Sequence, residues 1–351
     1  MKKLKTIRFG AIGPGGMGRS RTANLAEDRA VEVVAAADAN PQSIEQLENR
    51  LGHEVQRFLG RTGYKKMIDR AELDAVGVFS PHSLHYEQVM YALEHRKHVM
   101  VEKPMICGIG PALETAKLAR KKGLVYLTTY QRRYHPVFVK ARDLIRKGMI
   151  GEVTGFYVYM AQRYGPPPSN WRGNPKYSGG GQINDSGSHY QDILLWMTGL
   201  LPKSVEGHID NYFHGRKLRI QLNGSFTVEL ANGAAGRLII VGDAADGFSD
   251  DVKIVGAKGI LVFQKSGLIL KRPGKDPKPI PATRPRGYPT DPGDNFAKLL
   301  TGRTKTNHAA AESCARAVLL TDALLQAGKT GKRVYCERLV RKAGYSMRAF
   351  G

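Results

Sequence analysis

The sequence predicts an α/β chain in two parts. A doubly wound parallel sheet comes first, and an α+β domain with an open, mainly antiparallel sheet follows. Three observations carry this expectation. Short, near-continuous apolar runs alternate with helical stretches up to about Gly151, the βαβα order of a parallel sheet buried on both faces. Beyond that point apolar residues recur at every second position, as in strands with one buried face. Asn232-Gly233 separates two such runs, which is the strongest short hairpin signal.

The elements follow in order. Thr6–Ile12 reads as an apolar strand, with a helix from about Met17. Val31–Ala37 (VEVVAAA) is a second strand, and Pro41–Arg50 a helix with proline in its first turn, where a missing N–H does no harm. Ala75–Phe79, Val99–Val101 and Val125–Thr129 are further strands, with helices at Leu84–Glu94, Pro111–Lys122 and Pro136–Lys147. Glu152–Gln162 alternates, and a Pro/Gly-rich loop leads into a helix at Ser186–Met197. Alternating runs at Leu218–Leu230, Ala235–Val241, Asp251–Val255, Gly259–Phe263 and Gly267–Leu270 supply the second sheet. Gly287–Leu300 enters a helix, and Ala309–Ala327 is a long, apolar-striped one. The expected domains are residues 1–130 and 131–335, with a basic extension at 336–351.

At 351 residues the chain can bury two cores, and its 42% hydrophobic and 24% charged residues are ordinary for a globular protein. No apolar run approaches the ~20 residues that span a bilayer. The start MKKLKTIRFGAIG reads as a strand entering glycines, not as a secretory signal. The expectation is a cytoplasmic protein with no membrane partner. Cys107, Cys314 and Cys336 are too few and scattered for a disulfide framework or a metal site, so no metal is expected. Lys and Arg number 54 against 31 Asp and Glu, a net charge of +23. Such a field attracts anions, which suits an anionic substrate. No nucleic-acid signature accompanies it, so nucleic acid is not an expected partner.

Gly13-Pro14-Gly15-Gly16-Met17-Gly18 fits G-x-G-x-x-G after a strand and at the start of a helix. A second strand then ends at Asp38, about 20 residues on, the context a dinucleotide site requires. Gly13 permits the tight turn, Gly15 lets the backbone approach a pyrophosphate, and Gly18 allows close helix–strand packing. Backbone N–H groups around Gly16 and Met17 then hold the anion. Asp38 accepts hydrogen bonds from ribose hydroxyls and repels a 2′-phosphate, which favours NAD over NADP. Arg19 and Arg21 lie close by and pull the other way.

Ser80-Pro81-His82-Ser83-Leu84-His85 and Glu102-Lys103-Pro104 each follow a strand, at the edge where open α/β sheets bind ligands. Ser80, His82, His85, Glu102 and Lys103 are therefore cofactor-side candidates. Lys103 can also donate to a substrate oxygen and favour a developing alkoxide. In GGGQINDSGSHYQDILLW, Gly179 to Trp196, Asp185 and His189 are spaced i, i+4 and are expected on one helix face. Asn184 or Asp185 is expected to cap that helix, and the glycines to let a ligand near the backbone. Tyr130, with Arg132 and Arg133, follows the last strand of the first domain and is read as lining the cleft. Arg163 and Arg172 suit a carboxylate or phosphate, and Trp171 a sugar face. Asp192 is read as a packing or hydrogen-bonding residue.

Five motifs in this order, AIGPGGMG, SPHSLHYE, VMVEKP, YQRRYHP and GGGQINDSGSHYQD, resemble those of the glucose–fructose oxidoreductase / inositol dehydrogenase / MocA-like (Gfo/Idh/MocA) family, over about residues 5–335. The resemblance implies a Rossmann domain binding NAD(P) and a second domain whose open sheet assembles dimers or tetramers. It implies substrates among sugars, inositols and their derivatives. By the same resemblance His189 is the general base for a hydroxyl proton, Asp185 orients the substrate or the imidazole, and Lys103 stabilises the alkoxide as hydride passes to the nicotinamide. His189 and Lys103 are thus expected to act on one oxygen. An alternative within the family is transient oxidation that breaks a glycosidic bond. The family often has Asn where this chain has His82, and the residues beyond Tyr335 lie outside the resemblance.

Overall fold

The computed structural model describes residues 3–166 and 170–350. Residues 167–169, within the Pro/Gly-rich loop, lie outside the described residues. The chain forms two compact units. The first comprises Met1–Cys107, Pro111–Gln131 and Pro289–Cys314, and the second Gly108–Gly110, Arg132–Tyr288 and Ala315–Gly351.

The first unit alternates β1 (Ile7–Ile12), α1 (Gly16–Ala26), β2 (Val31–Asp38), α2 (Pro41–Leu51), β3 (Gln56–Leu59), α3 (Gly63–Arg70), β4 (Ala75–Val78), α4 (His85–Glu94), β5 (His98–Val101), α5 (Ile109–Lys122) and β6 (Tyr126–Thr128). Its six strands run in the order β3-β2-β1-β4-β5-β6, and every pairing is parallel. The apolar runs behave as buried strands should: Phe9, Ala11, Ala35, Val76, Val78, Val99 and Val101 are all at 0–2% exposure. Helix ends follow their sequence signals. Asn40 accepts from the Gln42 N–H before Pro41, and Gly52 closes α2 at φ 77°.

Two elements here escape the sequence reading. β3 is a four-residue edge strand, mostly exposed, with no apolar run to announce it. α3 buries Tyr64, Met67 and Ile68, a real i, i+3, i+4 stripe in a stretch only eight residues long.

The second unit contains α6 (Pro136–Arg146), β7 (Val153–Arg163), the single turns α7 (Pro175–Ser178) and α8 (Gly181–Asn184), and α9 (Gly187–Thr198). Then come β8 (Pro202–Asp210), β9 (Tyr212–Phe213), β10 (Arg216–Lys217), β11 (Asn223–Leu230), β12 (Ala235–Val241), β13 (Asp243–Gly256), β14 (Gly259–Gln264), β15 (Gly267–Arg272) and β16 (Lys275–Pro281). The nine-stranded sheet has the order β16-β15-β14-β13-β7-β12-β11-β8-β17, where β17 is Val334–Tyr335. It is antiparallel except for β7 beside β12. The Asn232-Gly233 hairpin forms between β11 and β12, with Gly233 at φ 88°. The run Leu218–Leu230 is not one strand: β11 starts at Asn223, and residues 218–222 form the approach to it. β16 (KDPKPIP) pairs only with β15, the edge position that tolerates proline.

The C-terminal part corrects the expected boundaries. α10 (Pro292–Leu300) belongs to the first unit, and α11 (Ala311–Thr330) starts there. The segment after α10 is tied to the edge of β6: Thr128 N–H donates to Ala309 O at 3.0 Å, and the Asn307 side chain donates through Nδ2 to Tyr126 O at 3.0 Å. The basic extension is folded into the second unit. Cys336 and Val340 of α12 (Cys336–Lys342) are 0% exposed, and Arg316 Nη2 donates to Phe350 O at 2.9 Å.

Candidate active site

In the first unit the site is assembled where β1 runs into α1. Gly13 sits at φ 71°, and a Cβ there would lie 2.8 Å from Ser80 N. At Gly18 a Cβ would lie 2.6 Å from Gly13 O and 2.7 Å from Phe79 Cβ, so the helix packs onto the strand as closely as glycine permits. Gly15 is different. Its φ of −63° suits any residue, and nothing in the chain lies within 4 Å of a Cβ built there or at Gly16. No side chain caps α1, so its first N–H groups point into that open space. Such a cradle fits a dinucleotide pyrophosphate.

Asp38 ends β2 and accepts from the Asn40 N–H at 2.8 Å. Burial, the largest influence, raises its carboxyl above the usual range, against hydrogen bonds from Asn40, Ala39 and Ser43. Both nearby arginines are engaged elsewhere. Arg21 pairs with Glu102 at 2.8 Å and donates to Gln131 at 2.7 Å, while Arg19 meets the Gln46 side chain. Neither is held toward Asp38 as a phosphate clamp.

Along the same strand edge, Ser80 donates to Gln88 Oε1 at 2.6 Å. The His82 ring is buried and stands edge-on to His85, 6.0 Å between centroids. His85 is 0% exposed, with Nδ1 2.9 Å from Pro104 O and Nε2 2.9 Å from Ser80 O. This corrects the expectation of a cofactor contact: the imidazole ties the loop after β4 to the loop after β5. Burial lowers its pKa, against the carbonyl contacts. Glu102 is likewise committed, through Arg21 and the Lys103 N–H. Lys103 follows directly, partly exposed, two residues beyond the end of β5 at Val101.

In the second unit the glycine triplet serves the fold. Gly179, Gly180 and Gly181 have φ of 62°, 130° and 55°, values that L side chains rarely adopt. A Cβ on Gly181 would lie 2.1 Å from Gln221 O, and one on Gly180 2.8 Å from Leu325 Cδ1. The expectation that these glycines admit a ligand is therefore corrected: they admit the chain's own backbone and core.

Asp185 is not on the helix of His189. It ends α8 with ψ −93°, and α9 starts at Gly187 after Ser186, without a side-chain cap. The reason lies in its carboxylate: Oδ2 accepts from Tyr164 OH at 2.8 Å and from Arg172 Nε at 2.9 Å. Asp185 is 2% exposed, and the Arg172 guanidinium stacks over Trp171 at 4.4 Å. Burial first, then Asp185, pushes the Tyr164 hydroxyl well above its ordinary range, so it stays a donor. His189 lies in the first turn of α9, partly exposed, with its N–H on Ser186 O at 3.2 Å.

Tyr164 escapes the sequence reading, although it directly follows Arg163 at the end of β7. Arg163 itself is exposed and does not join the cluster. Tyr130 is 1% exposed and Arg133 1%, which corrects their reading as groups presented to a substrate. Arg133 forms a bidentate pair with Asp192, Nε and Nη2 lying 2.9 and 2.6 Å from its oxygens, so Asp192 is the hydrogen-bonding residue expected. No group of His, Cys, Asp and Glu among the described residues is arranged to hold a metal.

A parallel sheet with a glycine cradle and a terminal acid defines the class: an NAD-binding Rossmann oxidoreductase. Residues 7–130 match the family described as oxidoreductase, NAD-binding Rossmann fold (GFO_IDH_MocA), and residues 138–262 match its C-terminal domain. The chain belongs to the Gfo/Idh/MocA family. It is 25% identical over 275 residues to the uncharacterized oxidoreductase YrbE of Bacillus subtilis, 75% of each chain. It is 25% identical over 259 residues to the scyllo-inositol 2-dehydrogenase (NAD(+)) of that organism, 73% of each. With the rhizopine catabolism protein MocA of Rhizobium meliloti it shares 30% over 201 residues, 57% of this chain and 59% of that one. In fold it is similar to an oxidoreductase domain protein from Kribbella flavida (TM-score 0.82, 19% identity, 95% and 100% covered). It is also similar to levoglucosan dehydrogenase in complex with NADH (TM-score 0.81, 18% identity, 94% and 99% covered).

Proposed function

We propose that the protein oxidises a secondary hydroxyl of a sugar, an inositol or a related polyol, with NAD as the acceptor. The observation that supports the cofactor half of this reading is Gly15, whose backbone conformation needs no glycine and whose surroundings are open, as a closely approaching dinucleotide requires. When bound, the nicotinamide supplies hydride acceptance. His189 takes the hydroxyl proton, because an imidazole titrates close enough to neutrality to accept and release it in each turnover. Lys103 donates to the same oxygen as negative charge grows on it. Asp185 is a positioning residue: it fixes the Arg172 guanidinium and keeps the Tyr164 hydroxyl oriented, so both face a substrate in defined directions.

Relatives named for scyllo-inositol and levoglucosan support a cyclic polyol, and the net charge of +23 suits a substrate with an acidic group. Assembly is assigned to the sheet of the second unit. On β7, Tyr157 and Tyr159 stand half-buried on the face opposite Phe156, Val158 and Met160. Three free cysteines suit a reducing cytoplasm.

The test is a panel of cyclitols, anhydrosugars, hexoses, sugar acids and glycosides, each with NAD or NADP, followed by absorbance of the reduced cofactor and by chromatography of the sugar products. Net reduction of NAD with at least one polyol is expected. Cleavage of a glycoside without net reduced cofactor would overturn the reading in favour of transient oxidation.

A further inference from the structure

The first unit holds a second concavity, formed by residues that the reaction does not use. It has a volume of about 580 Å³ and lies beside the start of β6, within the range of small-molecule sites. All strands of that sheet run the same way, and the glycine turn follows the C-terminal end of β1. The cavity, lined by Leu124, Val125 and Tyr126, is therefore at the opposite, N-terminal edge, on the outermost strand.

Its floor is apolar. Ala116 and Ala119 of α5, Leu299 of α10 and Ala311 of α11 contribute, each at most 5% exposed. Its rim is cationic. Lys3, Arg120 and Lys305 arrive from three separate stretches of chain, against one carboxylate, Glu312. None of the three cations makes a side-chain hydrogen bond or ion pair with a described residue, whereas Arg8, Arg21, Arg57 and Arg303 of the same unit all do. The stem of Lys3 is laid over Gly302, where a Cβ would come within 2.7 Å of its methylenes, so packing holds this side chain at the rim. Three like charges gathered around an apolar hollow repel one another, and an anion placed among them relieves that repulsion.

We propose that this cavity binds a small organic anion, its apolar body on the alanine and leucine floor and its acidic group among Lys3, Arg120 and Lys305. Apolar burial supplies the affinity that exposed ion pairs alone do not, and the cationic rim selects the charge. Because α5, α10 and α11 all line the cavity, an occupant clamps the segment from Leu299 to Glu312 against the edge of β6.

The probe is anilinonaphthalene sulfonate, an anion with an apolar body, titrated by fluorescence into the intact protein with NAD in excess so that the glycine turn is filled. Phenylnaphthylamine, the same body without the sulfonate, is the comparison. Saturable binding of the sulfonate is expected, with the neutral compound bound at least about tenfold more weakly. Arg120→Glu and Lys305→Glu are each expected to weaken it about tenfold at low salt, the scale of one charge-assisted contact, while turnover and NAD affinity stay unchanged. Absence of saturable binding, equal binding of the neutral compound, or indifference to both charge reversals would overturn the proposal. None of these results bears on the oxidoreductase reading, which the substrate panel tests separately.

Discussion

Gly15 and Gly18 stand three residues apart and require glycine for opposite reasons. At Gly18 the requirement is internal, since a Cβ would press on Gly13 O at 2.6 Å. At Gly15 nothing in the protein lies within 4 Å of a Cβ, and on the proposed function it is the bound dinucleotide that requires glycine there. Gly18→Ala is therefore expected to lower the melting temperature, by about 1–3 kcal/mol of stability as overpacked sites do. Gly15→Ala is expected to keep the melting temperature and weaken NAD binding by about tenfold or more. Thermal unfolding with and without NAD separates the two, and a destabilised Gly15→Ala with normal NAD affinity would remove the cradle argument. The same distinction explains one reading of the sequence that failed. Gly179–Gly181 looked like a ligand-approach loop, but glycines at positive φ that touch Gln221 and Leu325 are spoken for by the fold. Spacing alone does not separate these cases, because both give the same letters. The partners of Asp185 were equally hidden. The i, i+4 rule placed it with His189, and Tyr164, twenty-one residues upstream, claims it instead.

At the scale of elements, legibility followed burial. Strands buried on both faces announced themselves within a residue or two, as at β1, β2 and β5. Exposed edge strands did not: β3 and β16 satisfy the ladder on one side only and carry polar or proline residues, as protected edges do, whereas the buried edge strand β6 was read to within a residue at each end. The return of α10 to the first unit was illegible for a different reason: its apolar face of Phe296, Leu299 and Leu300 does not say which unit it packs on, and the ties of the following segment to β6, one backbone bond at Thr128 and one from the Asn307 side chain to Tyr126 O, leave no periodic pattern. α11 offers a test of pH dependence. Its Asp322 accepts from the Ile109 N–H at 2.7 Å, and burial raises its carboxyl to about 6. A folded-state value above the unfolded one means that the native state holds its proton more tightly. The contribution of Asp322 is thus most favourable below about pH 4 and is lost as pH rises through about 6. Asp322→Asn, which keeps an acceptor for Ile109, is expected to gain stability relative to the parent at pH 7 and to lose that advantage at pH 4. Denaturant unfolding at the two pH values measures it, and an advantage independent of pH would refute the assignment.

Over the whole molecule, family membership was the most legible property and the division of labour among residues the least. The motifs of both domains stand in order along the chain and match the family over residues 7–130 and 138–262. The central proposed step is an oxidation in which His189 takes a proton and Lys103 steadies the oxygen that loses it. The most direct measurement is single-turnover reduction of NAD by the best polyol of the panel in the parent, His189→Ala and Lys103→Ala proteins, with NAD affinity determined for each. The predicted result is a rate lowered by roughly 10²-fold or more in both variants, with NAD affinity in His189→Ala unchanged. A parental rate in either variant would contradict the account.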